Sequence, residues 1–205
     1  MWIDARDPAD GIIVASSSES HYIVAWQVML LGVPVLIEKP VCMRSEEAED
    51  LLEMGGIVFA GHTRLYDPAW KAFKAHGKPK AVEAWAGGVN LTNPDANLNW
   101  WTHLAAMCWD LGFDPANAVF HVTEEAQPIR FVADGREFRD GEGALEGLIT
   151  EFCAAIQLGK PNNEGLKLGL KAIQYVEASL PAQGQAAFSL GPLEWISRCT
   201  PFPRA

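Results

Sequence analysis

Short apolar runs separated by polar, glycine-containing turns dominate the first sixty residues. Residues 11–15 form a continuous apolar run, which predicts a strand buried on both faces, as in a parallel sheet. Apolar residues then recur at helical spacing over 21–31, and Gly32 is a suitable helix stop. A second apolar run at 33–37 predicts another strand. Strand, helix and strand in this order indicate a βαβ unit with a right-handed crossover.

The same alternation continues to about residue 60. Ser45 begins the next predicted helix as its N-cap, and acidic residues follow in the first turn, where the helix dipole favours them. This helix is expected to run to Met54 and to stop at Gly55-Gly56. Residues 57–60 then predict a third strand of the same sheet.

The pattern changes after residue 62. Residues 80–89 and 118–132 are extended, alternating segments that suggest antiparallel strands, and Asp134-Gly135 is a hairpin signal. Further helices are predicted over 67–75, 101–111, 144–158 and 164–180. We therefore expect an α/β part with a parallel sheet, residues 1–62, followed by an α+β part with an antiparallel sheet and helices, residues 63–205.

Charge and apolar content exclude several classes of protein. The formal net charge is −10, from 16 basic and 26 acidic residues, and no Lys/Arg cluster offsets it, so nucleic acid is not an expected partner. No segment has the roughly 18 to 20 uninterrupted apolar residues that span a bilayer. The first residues also lack the basic start and apolar stretch of a secretory signal. We expect a protein of the cytoplasm with no membrane partner.

The cysteines and tryptophans add less specific information. The cysteines at 42, 108, 153 and 199 are far apart and include no Cys-x-x-Cys pair, so reduced, mostly buried thiols are expected, with no metal site. Eight tryptophans are many for 205 residues. Because an open sheet that carried them would expose much apolar surface, we expect a homodimer or a higher homo-oligomer built on one face of the antiparallel sheet.

Several motifs in order resemble the Gfo/Idh/MocA family of oxidoreductases. Residues 10–21 have a strand, a small-residue turn and His21, and a helix and strand then lead to Glu38-Lys39-Pro40, with 16 residues between His21 and Glu38. Residues 61–68 are similar to the segment that leaves the family's nucleotide-binding domain. His103 and the apolar helix ending in Leu111-Gly112 resemble its catalytic-histidine helix. The turn at 159–161 is similar to the Gly-Lys/Arg-Pro turn of its penultimate helix.

This resemblance implies a partial Rossmann-like sheet, NAD or NADP as cofactor, and a sugar, cyclitol or nucleotide sugar as substrate. It implies that Lys39 hydrogen-bonds the nicotinamide ribose and the reacting hydroxyl, and that His103 is the general base. The other residues implied to bind cofactor are Ser16, Ser17, Ser18, His21, Glu38 and Pro40, and those implied to meet substrate are Arg64 and Trp101. Simpler interpretations remain open: Lys39 could pair with Glu38, His103 could pack against neighbouring side chains, and Arg64 could form a salt bridge at the domain boundary.

Departures from the family pattern concern both cofactor and chemistry. The sequence contains no Gly-x-Gly-x-x-Gly, which normally places the pyrophosphate over a helix N-terminus, so we expect an N-terminally truncated relative that binds NAD(P) weakly. Asn99 stands where the family has aspartate, and it can orient a substrate hydroxyl but cannot ionise. Two functions follow: an oxidoreductase with reduced or lost activity, or a non-catalytic relative that serves as a binding or structural subunit.

Overall fold

The computed structural model describes residues 9–88 and 94–179, with the backbone alone for 94–97. Val89, Leu180 and Cys199, on which sequence predictions fall, lie outside the described residues. The strands are β1 (Ile12–Val14), β2 (Val35–Ile37), β3 (Val58–Ala60), β4 (Val82–Ala86), β5 (Val119–Val122), β6 (Arg130–Ala133) and β7 (Arg136–Arg139). The α-helices are α1 (His21–Leu30), α2 (Ser45–Met54), α3 (Pro68–Lys74), α4 (Pro94–Asp110), α5 (Ala144–Leu158) and α6 (Glu164–Ser179).

The first sheet is parallel and follows chain order, β1-β2-β3. Every residue of β2 and β3 is buried, because helices and the second half of the chain cover both faces of this sheet. The βαβ unit and the third strand predicted from the apolar runs are therefore confirmed. The start of α2 differs from the prediction: Arg44 is extended (φ −135°) and its N–H donates to Glu47 Oε2 at 3.2 Å, so Ser45 is the first helical residue and not the N-cap.

The second sheet has the order β5-β4-β6-β7. Strands β6 and β7 form the predicted antiparallel hairpin, with Asp134 (φ 49°) and Gly135 (φ 77°) in its turn. Strand β4 is antiparallel to β6 but parallel to β5, so the sheet is mixed. The expected antiparallel pairing is found between β4, β6 and β7, and it does not hold for β5. The helix between these two strands, β4 and β5, is α4, which begins at Pro94 and not near residue 101. This long helix crosses back over the sheet, and such a crossover delivers the next strand in the same direction as the last.

The hydrophobic core is continuous from one sheet to the other. Leu36 and Phe59 of the parallel strands belong to the same buried cluster as Trp70 of α3 and Phe131 of β6. Helix α6 returns to the parallel sheet, where Leu166 is fully buried among side chains of β2 and β3. Among the described residues, no helix is long and apolar enough to cross a membrane. A domain division at residue 62 stays a prediction.

Candidate active site

The carboxyl ends of the three parallel strands meet at one edge of the first sheet. Strand β1 leads to the serine turn at 16–18, β2 to Glu38-Lys39-Pro40, and β3 to Gly61-His62. Ligands of open α/β sheets gather at this edge, because the loops that follow adjacent strands converge there. The serine turn and Glu38-Lys39-Pro40 therefore lie on neighbouring loops.

His21 ties two of these loops together. It is buried, with 2% of its surface exposed, and begins α1. Its Nδ1 lies 2.7 Å from the carbonyl oxygen of Pro40, and its Nε2 lies 3.1 Å from the carbonyl oxygen of Ser16. Ser20, just after the serine turn, donates its hydroxyl to Ser16 Oγ at 2.7 Å. His21 thus contacts both the serine turn and the loop after β2 and holds them together.

Gly61 brings the end of β3 against the end of β2. Its N–H donates to the carbonyl oxygen of Ile37 at 2.6 Å, and a Cβ added to it would lie 2.9 Å from Glu38 Cα. No larger residue fits there without moving backbone. The Glu38 carboxylate folds back and accepts the N–H of Lys39 at 3.2 Å, so it shapes the loop that carries Lys39.

The Lys39 ammonium is half-buried in this edge. It lies 5.2 Å from the centroid of the ring of Trp100, a half-buried residue of α4, and this is a cation–π contact. Burial lowers the pKa of Lys39, and the nearby Arg64 lowers it further, while Glu38 opposes both. Lys39 therefore gives up its proton more readily than a surface lysine.

His103 lies on the buried face of α4, with 1% of its surface exposed. Its Nδ1 is 3.2 Å from Nδ1 of His62, which follows β3 and is equally buried. Burial is the main cause that lowers the pKa of His62, to about 3, and Lys39 adds to it. The pKa of His103 is also lowered well below 6.5 by burial, then by His62, Lys39 and Arg64. Both imidazoles are consequently neutral at physiological pH.

His62 is the residue that sequence reasoning missed. A signal was present, because His62 follows the buried strand β3 with only Gly61 between, as Lys39 follows β2 with only Glu38 between. Residues 61–68 resemble a segment of the family, but that resemblance implies no role for this histidine.

Arg64 and Trp101, the predicted substrate contacts, differ in their surroundings. Arg64 Nη2 forms a 2.6 Å ion pair with Asp140 Oδ2, as the simpler interpretation of Arg64 expected. It still lies close enough to His103 and Lys39 to lower the pKa of both. Trp101 packs edge-to-face on Phe120 of the second sheet, with ring centroids 5.5 Å apart.

Asn99 stands one turn before His103 on α4. Its carbonyl oxygen accepts the Thr102 hydroxyl at 3.3 Å, and its side-chain Oδ1 is buried without a hydrogen-bond partner. The fold thus places Lys39 and Arg64 close enough to His103 to lower its pKa. The serine turn and His21 lie next to them, at the end of β1. Together, Lys39, Arg64 and His103 can take a proton from a hydroxyl and stabilise negative charge on its oxygen.

Comparison with known proteins gives this arrangement a family context. Residues 3–55 match the Gfo/Idh/MocA family model, which is described as an oxidoreductase family with an NAD-binding Rossmann fold. No curated protein matches the sequence significantly. The sequence-level match therefore covers the parallel strands β1 and β2 and the two helices that follow them.

Solved structures extend the likeness over most of the chain. The UDP-N-acetylglucosamine 3-dehydrogenase of Acidithiobacillus ferrooxidans is 16% identical with a TM-score of 0.65, covering 83% of this chain and 77% of its own. A myo-inositol dehydrogenase from Corynebacterium glutamicum is 13% identical with a TM-score of 0.68, covering 86% and 78%. The WlbA dehydrogenase of Thermus thermophilus, solved with NAD and UDP-GlcNAcA, is 18% identical with a TM-score of 0.67, covering 88% and 75%. These likenesses establish the fold, and with the family model they confirm the resemblance to Gfo/Idh/MocA oxidoreductases.

Proposed function

We propose that this chain is an NAD(P)-dependent oxidoreductase that acts on a hydroxyl group of a sugar, cyclitol or nucleotide sugar. The observation that carries the proposal is the meeting of Lys39 with the His62–His103 pair at the carboxyl edge of the parallel sheet. The family model, described as an NAD-binding Rossmann fold, supports it, and so does the WlbA dehydrogenase, which was solved with NAD and UDP-GlcNAcA. The other two dehydrogenases of similar fold are named for UDP-N-acetylglucosamine and myo-inositol, which are substrates of these classes.

The residues at this edge fit the nicotinamide–ribose end of a dinucleotide. Ser16 and Ser17 are exposed on the turn after β1, and the half-buried Lys39 has hydrogen-bond donors to spare after its contact with Trp100. When bound, a nicotinamide cofactor supplies the hydride acceptor or donor that these side chains lack. The sequence has no Gly-x-Gly-x-x-Gly motif for the pyrophosphate, so we expect a dissociation constant above about 100 μM, because several charge-assisted hydrogen bonds are missing.

The side chains divide the proton chemistry between them. His103, neutral at physiological pH because burial lowers its pKa, is the group that takes the hydroxyl proton. Lys39 and Arg64 place positive charge near the oxygen that loses this proton, which stabilises the developing negative charge. Trp100 covers one side of Lys39 and helps exclude water from the ammonium.

A second function, a non-catalytic binding or structural subunit, rests on Asn99. Where the family has a carboxylate, this chain has an amide whose Oδ1 makes no hydrogen bond. We propose in either case a homo-oligomer of the cytoplasm, joined through the outer face of the second sheet. That face carries Trp85, which stacks on His121 with ring centroids 4.7 Å apart and lies under the Arg130 guanidinium at 4.3 Å.

Two measurements separate these functions. Calorimetric titration with NAD+, NADH, NADP+ and NADPH measures cofactor binding, and nicotinamide absorbance measures turnover with myo-inositol, UDP-N-acetylglucosamine and its uronic acid. We expect weak binding and slow turnover with at least one of these probes, and loss of turnover in Lys39→Met. Lys160→Met, at an exposed lysine in the turn before α6, is the matched control and should turn over normally. No binding and no turnover would leave the non-catalytic subunit as the function.

A further inference from the structure

The two buried histidines meet edge to edge. Their Nδ1 atoms are 3.2 Å apart, their ring planes differ by 8°, and their centroids are 5.5 Å apart. That centroid separation is what two coplanar rings require when their nitrogens point straight at each other across a 3.2 Å gap. The contact is therefore an in-plane hydrogen bond, not a face-to-face stack.

This hydrogen bond links the tautomers of the two rings. Each neutral imidazole carries one proton, so one Nδ1 must donate and the other must accept. The second nitrogen of His62 is buried and has no hydrogen-bond partner. It faces α6, where a Cβ added to Gly169 would lie 3.4 Å from it. Among the described contacts of His62, only His103 can therefore fix which nitrogen of His62 holds the proton.

We propose that His62 is a positioning residue for His103, whose Nδ1–H it accepts so that Nε2 of His103 is left free to take a proton. This deepens the proposed function and rests on it. In the proton-transfer step, the O–H bond of the substrate breaks, its electron pair stays on oxygen, and a new N–H bond forms at His103 Nε2. The resulting imidazolium keeps its Nδ1–H bond to His62.

The opposite direction would make His103 useless as a base. If His62 donated, the proton of neutral His103 would be on Nε2, and its remaining lone pair would face an N–H group. The charged groups around the pair are Lys39, from the end of β2, and Arg64, from the turn after β3, and both are cations. Each of these cations has a carboxylate beside it: Glu38 is next to Lys39, and Asp140 pairs with Arg64. Neither carboxylate forms a described hydrogen bond with His103. His62 thus has the orienting place that a carboxylate holds in an Asp–His pair.

The proposal is tested first without substrate, by long-range 15N–1H correlation spectra of the histidines at pH 7. We expect His103 in the Nδ1–H tautomer and His62 in the Nε2–H tautomer. His62→Asn keeps an acceptor oxygen near the position of Nδ1 and should leave the His103 tautomer unchanged. His62→Phe keeps a ring without an acceptor and should move His103 toward the Nε2–H tautomer.

His76→Phe, at an exposed histidine of the turn after α3, is the matched control and should change neither signal. An Nε2–H tautomer for His103 in the unaltered protein would overturn the proposal, and this result needs no variant to fold. An unchanged His103 tautomer in a folded His62→Phe protein would overturn it as well.

Turnover supplies an independent readout. With whichever of the three sugar probes the unaltered protein oxidises, we expect kcat to fall about ten- to a hundredfold in His62→Phe, with the KM for the nicotinamide cofactor little changed. His62→Asn should recover most of that loss, which a purely structural role of the ring would not produce. If the unaltered protein oxidises no probe, the proposed function fails, while the tautomer measurement still decides the role of His62.

Discussion

Acidification from pH 7 to pH 5 should destabilise this protein through its buried histidines. Burial, with help from Lys39, lowers the pKa of His62 to about 3 in the folded chain, against about 6.5 in the unfolded chain. The unfolded state therefore binds the proton first as the pH falls, and the free energy of unfolding decreases. The decrease begins near pH 6.5 and continues down to the folded pKa.

The size of this effect follows from the two pKa values. At pH 5 an unfolded histidine is almost fully protonated, while the buried His62 is neutral, so His62 alone should cost about 2 kcal/mol relative to pH 7. The figure depends little on the folded pKa as long as that value is well below 5. Since the pKa of His103 is also lowered well below 6.5, His103 adds a loss of the same sign.

Urea unfolding at pH 7, 6 and 5 measures the effect in the unaltered protein and in His62→Phe. We expect the unaltered protein to lose about 2 kcal/mol more than the variant between pH 7 and pH 5, because phenylalanine cannot be protonated. His76→Phe, at an exposed histidine, should follow the unaltered protein. Asp140, whose carboxyl pKa burial raises, is present in all three proteins and cancels in the comparison. Equal pH dependence in His62→Phe and the unaltered protein would show that His62 takes up its proton freely, and the reasoning from burial would be wrong.

Three further predictions concern packing and assembly. Gly61→Ala should destabilise the chain by about 1–3 kcal/mol in urea unfolding, because the new Cβ would lie 2.9 Å from the Glu38 backbone, whereas Gly141→Ala, with its nearest contact at 3.8 Å, should cost less. Asp67→Ala should cost about 1–2 kcal/mol in the same assay, since the buried Asp67 carboxylate caps α3 by accepting the Ala69 N–H at 2.7 Å. Analytical ultracentrifugation should give at least twice the 22.4 kDa chain mass at micromolar concentration, and a monomer would refute the oligomer.

The first sheet could be predicted because its strands are short, apolar and buried on both faces. Such runs have few alternatives once a helical repeat lies between them, as over 11–37. The predicted start of α2 is one residue too late, because serine is a common N-cap and Ser45 was given that position. The N-cap is Arg44, whose backbone N–H donates to the Glu47 carboxylate of the first turn. The direction of β5 could not be predicted from its own residues, because an alternating pattern marks a strand but not its direction relative to its neighbour. The direction follows from the helix between β4 and β5, which begins at Pro94, a residue that favours the first turn of a helix.

The candidate site was accessible from the sequence only where a motif marks it. Lys39 and His103 were reached through the family resemblance, and the fold brings both to one edge of the sheet. His62 was not reached, because its contact with His103 joins residues 41 positions apart. No local pattern records such a contact. It requires β3 to end beside α4 and α6 to pass close by at Gly169.

The net charge of the chain also failed to indicate the electrostatics of the site. A formal charge of −10 predicts a surface that repels an anionic cofactor unless the pocket is locally positive. At His103 the field is positive, since Lys39 and Arg64 both lower its pKa. Both histidines are neutral, so, unlike a carboxylate, neither cancels the positive field of Lys39 and Arg64 at an incoming anion or at an oxygen that becomes negative during reaction. A neutral imidazole as partner for His103, where a carboxylate would be usual, preserves that positive field, and the buried His62 therefore serves the electrostatics of the site as well as the orientation of its base.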